Sequence, residues 1–123
     1  MKILIKDGLP YIQVTLIYNN QQITLYDVII DTGSSSTIFS IDMISTIGIV
    51  PEPNDPIYRI SGVGGSEFVF AKQIDSIILG TLRVDNFLIE IGAMQYGFKL
   101  DGIIGMNFLL QTKAIIDLNR LEI

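Results

Sequence analysis

Val28-Ile29-Ile30-Asp31-Thr32-Gly33-Ser34-Ser35-Ser36 is the stretch on which the reading of this chain turns. Three consecutive β-branched residues suit a strand buried on both faces. The run stops at a carboxylate followed by turn formers. An acid at the end of a buried strand is costly unless something holds it. Thr32 offers a hydroxyl that can bond across a symmetric contact, and Gly33 lets another backbone come close. Taken alone, an exposed Asp opening an ordinary turn explains these residues equally well.

Upstream, Val14, Leu16 and Tyr18 alternate with Gln13, Thr15 and Ile17, as in a half-buried strand. Asn19-Asn20-Gln21 reads as a turn, and Ile23, Leu25 and residues 27–30 as the returning strand. Downstream, Ser40 suits a helix N-cap for residues 41–47, with Gly48 as the stop. Pro51, Pro53 and Pro56 mark an irregular link. Residues 57–60 and 67–70 flank Ser61-Gly62-Val63-Gly64-Gly65, which predicts a β-hairpin with a glycine-rich tip. Strands are expected at 74–79 and 82–91 around a turn at Gly80-Thr81, with a loop over 92–97. Asp101-Gly102-Ile103-Ile104-Gly105 then leads into a short helix at Met106–Thr112. Residues 114–118 and 120–123 read as closing strands joined at Asn119. Many short strands separated by turns predict an all-β barrel or sandwich, organised as one domain over 1–123.

The composition narrows the chemistry. The chain holds no Cys and no His. Thiolate and imidazole catalysis are thereby excluded, together with disulfides and metal sites built on those ligands. No metal and no cofactor is expected. A net charge of -5 with no Lys/Arg patch argues against nucleic-acid binding. No apolar run reaches the length of a membrane span, and the charged N-terminus does not suit a signal peptide. A cytoplasmic location and no membrane partner are the expectations. Apolar residues make up 49% of the chain and charged ones 17%, which suggests that a partner covers part of the surface.

Three features in order resemble the retropepsins, the retroviral-type aspartic proteases. Asp31-Thr32-Gly33-Ser34 resembles the catalytic loop, residues 60–65 resemble the flap, and Ile103-Ile104-Gly105 with Asn107 resembles the segment that braces the loop and opens the C-terminal helix. The resemblance covers most of the chain. It implies a closed retropepsin-like β-barrel, the acid protease fold, with one or two short helices. It also implies a homodimeric aspartic endopeptidase in which each subunit supplies one loop and a peptide or protein is the substrate. Asp31, Thr32 and Gly33 are then the catalytic residues. Ser34, Ser35, Ile38, Gly62, Val63, Gly64 and Ile103 are the substrate-binding ones. Gly62 and Gly64 would give the flap its hinge freedom, and Ile38, Val63 and Ile103 would form apolar subsites.

The sequence departs from the family at two points. Ser35 stands where viral members often carry an acid, and Met106 where the brace usually has Arg. Asp101 precedes a Gly but lacks the Thr, so it is not read as a second catalytic group. The partner carboxylate is expected from a twin subunit. Two carboxylates about 3 Å apart repel by roughly 5 kcal/mol at an effective dielectric near 20. Such a pair shares one proton, and activity is expected to peak on the acid side of neutral. Residues 114–118, or the 120–123 tail, are expected at the dimer interface, with pairing inside the chain as the alternative. Two rival functions are a non-catalytic peptide-binding or dimerisation module of the same fold and a nucleotide phosphatase or sugar kinase fragment. The second needs longer helices alternating with strands and a phosphate loop, which this chain lacks.

Overall fold

Two-residue turns that need a left-handed backbone set the register of the first hairpins. Asp7 and Gly8 (φ 51° and 77°) join β1 (Leu4–Lys6) to β2 (Leu9–Tyr18). Asn19 and Asn20 (φ 48° and 63°) join β2 to β3 (Gln21–Ile30). Gly and Asn are the residues that adopt this conformation at least cost. The computed structural model describes residues 1–62, 65–94 and 96–123, with 60–62 and 65–67 given by their backbone only.

The remaining strands are β4 (Ile38–Ser40), β5 (Ile57–Gly62), β6 (Gly65–Leu79), β7 (Leu82–Gly92) and β8 (Gly102–Ile104). The sheet order is β1-β2-β3-β8-β4-β7-β6-β5, and β6 also pairs with β2 through Leu16↔Ile77 and its neighbours. The ring β2-β3-β8-β4-β7-β6 therefore closes on itself as a six-stranded barrel with two short helices, and β1 and β5 lie outside the ring as edges. The expected all-β, retropepsin-like barrel is the observed architecture. β8 lies parallel to β3, with Val28↔Gly102 and Ile30↔Ile104, and antiparallel to β4. This places the end of β3 against the segment leading into the C-terminal helix.

The side chains of Val28, Ile29 and Ile30 are all buried, as the apolar run implied. They divide between two clusters. Val28 and Ile30 face the main core with Phe39, Ile104 and Phe108. Ile29 faces a smaller cluster with Ile38, Val69, Met94 and Leu100, against which Ile103 packs.

The structure corrects four local expectations. Residues 65–79 form one continuous strand rather than two. Lys72, which falls between the two expected strands, is held by ion pairs to Glu52 and Asp55, at 2.8 and 3.0 Å. Ile38–Ser40 is a strand where none was expected, and Ser40 makes no side-chain cap bond. The helix after it is only α1 (Ile41–Ile44), continued by one 3-10 turn at Ser45–Ile47 and ended by Gly48 at φ 84°. Residues 114–118 and 120–123 are not strands and contribute only isolated bridges, Lys2↔Glu122 and Asp117↔Glu122. The helix at Met106–Thr112, α2, falls where expected. Among the described residues no helix is long and apolar enough to cross a membrane.

Candidate active site

Asp31 follows the last residue of β3, and its amide donates to the Ile104 carbonyl at 2.9 Å, extending the β3–β8 pairing by one step. Side chains alternate along a strand, so Asp31 falls on the face of Ile29, toward the smaller apolar cluster. The chain then turns. The Gly33 amide donates to Asp31 Oδ1 at 2.9 Å and the Ser34 amide to the Asp31 carbonyl at 3.1 Å. This Asx turn aims the carboxylate through its own backbone. A methyl group on Gly33 would sit 3.2 Å from Asp31 Oδ1, so glycine leaves that oxygen uncrowded.

The loop is fixed from behind. The carbonyls of Ser34 and Ser35 accept the amides of Met106 and Asn107, at 2.8 and 3.2 Å. They satisfy first-turn donors of α2 that would otherwise lack partners, in place of a side-chain cap. Gly105 makes this approach possible, since any Cβ there would overlap the Ser36 carbonyl. Thr37 has no exposed surface and ties the two segments together. Its hydroxyl donates to Asn107 Oδ1 at 2.8 Å and accepts the Gly105 amide at 3.1 Å. Asn107 Oδ1 also accepts the Phe108 amide at 2.9 Å. The brace expected from Gly105 and Asn107 is therefore present, and Thr37 is a member of it that sequence reasoning missed. Its signal was a β-branched hydroxyl residue between the serine run and Ile38-Phe39.

The residues singled out from the sequence occupy distinct positions. Asp31 is half-buried, while Thr32, Gly33 and Ser35 are exposed. Ser34 is half-buried, with its hydroxyl donating to the Ser36 carbonyl at 2.8 Å. Ile38 and Ile103 are cross-strand partners. Ile38 is buried, forming a floor, while Ile103 keeps part of its surface open. Gly62 ends β5 opposite Gly65. Val63 and Gly64 lie outside the described residues. Asp101 stands well away from Asp31. Its amide donates to the Asp27 carbonyl at 2.7 Å, which places it four residues back along β3, roughly 13 Å from Asp31 at strand rise.

Charges cluster at that far end rather than at the loop. Lys6 donates to Asp27 at 2.9 Å, and Lys99 lies 3.4 Å from the same carboxylate. The Lys6 bond, with help from Lys99, holds the Asp27 carboxyl below its ordinary range against the effect of burial. Burial pushes the nearby Asp101 carboxyl up. Among the described residues no cation is paired with Asp31.

A family model described as aspartyl protease matches residues 12–108, a span that contains Asp31-Thr32-Gly33 and Gly105. The chain belongs to the aspartyl protease family. No curated protein matches the chain. In this member of the aspartyl protease family, the Asp at the end of β3 sits in a tight turn backed by a glycine–helix brace. Asp101 lies too far along the strand to face Asp31.

Proposed function

We propose that the chain is a retropepsin-type aspartic endopeptidase, active as a homodimer in which the two Asp31 carboxylates face each other. The observation that carries this reading is the Asp31 turn itself: a half-buried carboxylate, aimed by the Gly33 amide and locked to α2 from behind, beside an apolar surface. One Asp31, ionised, takes a proton from a water molecule as its oxygen attacks the peptide carbonyl carbon. The other, protonated, donates to the carbonyl oxygen. Collapse of the resulting gem-diol breaks the C–N bond as the nitrogen receives a proton from the dyad. The mutual repulsion of the two carboxylates keeps one proton on the pair, so activity peaks on the acid side of neutral.

Thr32, exposed in the single chain, is assigned to the contact between the two loops. Ile38, Val63 and Ile103 supply apolar subsites, Ser34 and Ser35 contact the peptide, and Gly62 and Gly64 give the hairpin tip its hinge freedom. The expected role of the 120–123 tail in dimerisation is revised. Its backbone is engaged within the chain, with the Ile3 amide donating to the Leu121 carbonyl and the Ile123 amide to the Met1 carbonyl, at 2.8 and 3.0 Å. Leu110, Ile115 and Leu118, at 67%, 80% and 68% exposure, are the nearby apolar side chains left for a second copy.

Asp31→Asn tests the reading. The variant should keep the wild-type thermal midpoint and dimer mass while losing cleavage of apolar-centred peptides. Specific activity of the wild type should also fall on dilution. Cleavage that survives in Asp31→Asn removes the mechanism.

A further inference from the structure

On the proposed reading as an endopeptidase, we infer that Glu90 makes the enzyme selective for a basic side chain in its peptide substrate, taken into a cleft between α2, β7 and the hairpin strand β5.

The cleft has a volume of about 440 Å³ and is lined by Ser36, Tyr58, Leu88, Glu90, Asn107 and Gln111 among others. That size lies within the range of sites that hold a small ligand group. Its position ties it to the candidate active site. Ser36 belongs both to the cleft and to the Asp31 loop, where its carbonyl accepts the Ser34 hydroxyl. Asn107 belongs both to the cleft and to the brace. The Glu90 amide donates to the Thr37 carbonyl at 2.9 Å, and Glu90 is the parallel-strand partner of Ile38. The residue is thus held by the same backbone that positions the loop.

Glu90 also points the right way. Ile89 and Ile91 are fully buried in the core, so Glu90 lies on the opposite face of β7, which it shares with the exposed Leu88. Among the described residues that line the cleft, Glu90 is the only one with a formal charge. No ion pair joins its carboxylate to a cation among the described residues. Tyr58, Asn107 and Gln111 contribute neutral polar groups to the same cleft, and Leu88 adds an apolar wall. A long aliphatic stem ending in a cation matches such a lining, because the stem packs on apolar surface while the head reaches the acid. The net charge of -5 favours the approach of basic peptides.

The test uses fluorogenic peptides with an apolar pair at the cut and either Lys or its neutral isostere norleucine at each flanking position in turn. At one position the wild type should cleave the Lys peptide about two- to fivefold better by kcat/KM, the gain expected of one partly solvated ion pair. In Glu90→Gln that ratio should collapse to about one, and in Glu90→Lys it should invert in favour of a Glu peptide. Equal cleavage of Lys and norleucine peptides at every position by the wild type, or a ratio that Glu90→Gln leaves intact, overturns the proposal. Binding of the same peptides to the Asp31→Asn chain, read by calorimetry, separates this inference from the one beneath it. A Lys preference in binding that Glu90→Gln abolishes, with no cleavage by the wild type, retains the Glu90 site and removes the protease reading. Cleavage without any Lys preference removes Glu90 alone. Neither binding nor cleavage of any peptide removes both.

Discussion

Replacing Thr37 by Val isolates the brace behind the Asp31 loop. The two side chains have nearly the same shape, so packing is kept and only the hydroxyl goes. Thr37 is fully buried, and its Oγ1 serves two partners, the Asn107 carboxamide and the Gly105 amide. Asn107 Oδ1 keeps the Phe108 amide, so the net loss there is about 1 kcal/mol. The buried Gly105 amide keeps no acceptor, which costs about 1–3 kcal/mol. The expected loss is therefore about 3 kcal/mol, or roughly 10 °C in Tm for a chain of this length. Thr37→Ser keeps both bonds and removes one buried methyl, a loss of about 1 kcal/mol. Guanidinium unfolding followed by far-UV circular dichroism gives both values on one scale. The reasoning is refuted if Thr37→Val is no less stable than Thr37→Ser, because the hydroxyl would then bear nothing that a methyl cannot.

Three further outcomes are expected. Gly105→Ala forces a methyl against the Ser36 carbonyl and should lower stability by about 2–3 kcal/mol in the same unfolding experiment, with the loop or α2 displaced in a crystal structure of the variant. At Lys72 the effect should be asymmetric. Lys72→Met leaves behind Glu52, which is already largely exposed, and Asp55, which keeps the Glu52 amide, and should cost about 1–2 kcal/mol; Glu52→Gln with Asp55→Asn strands a buried ammonium and should cost about 3 kcal/mol by denaturant titration. Burial raises the Asp101 carboxyl above its ordinary value of 3.8, so its ionisation opposes folding as pH rises through that value. Asp101→Asn should therefore have the wild-type Tm near pH 3 and a higher one at pH 7; a gain present at pH 3 and absent at pH 7 contradicts the assignment.

The parts of the fold legible in the sequence were those governed by local rules. Asn19-Asn20 and Gly80-Thr81 announced their turns because few residues tolerate a positive φ. Residues 28–30 announced a doubly buried strand because nothing in them is polar. Met106–Thr112 announced a helix by following a glycine. What stayed hidden depended on partners distant in the chain. The continuity of β6 through Lys72 rests on two acids about twenty residues upstream. Ile38–Ser40 is too short to signal a strand and exists because β7 and β8 flank it. The closing strands were wrong because the 120–123 tail bonds to the first three residues instead of forming a ladder of its own. At the site, Asp31, Gly33, Gly105 and Asn107 could be nominated because the segments that hold them resemble the family's loop and brace. Thr37 and Glu90 could not, since one threonine or glutamate in a strand resembles any other until the neighbouring loop is in place.

The joining of the two chain ends has a consequence for how the molecule opens. Ile3 hangs on Leu121, Ile123 on Met1, and the Met1 ammonium on the Ile123 carbonyl at 3.0 Å. Neither end can fray without releasing the other, so the usual pair of independent weak points becomes one shared latch. Anything fused to one terminus is felt at the opposite one, and through β1 at the first hairpin of the barrel.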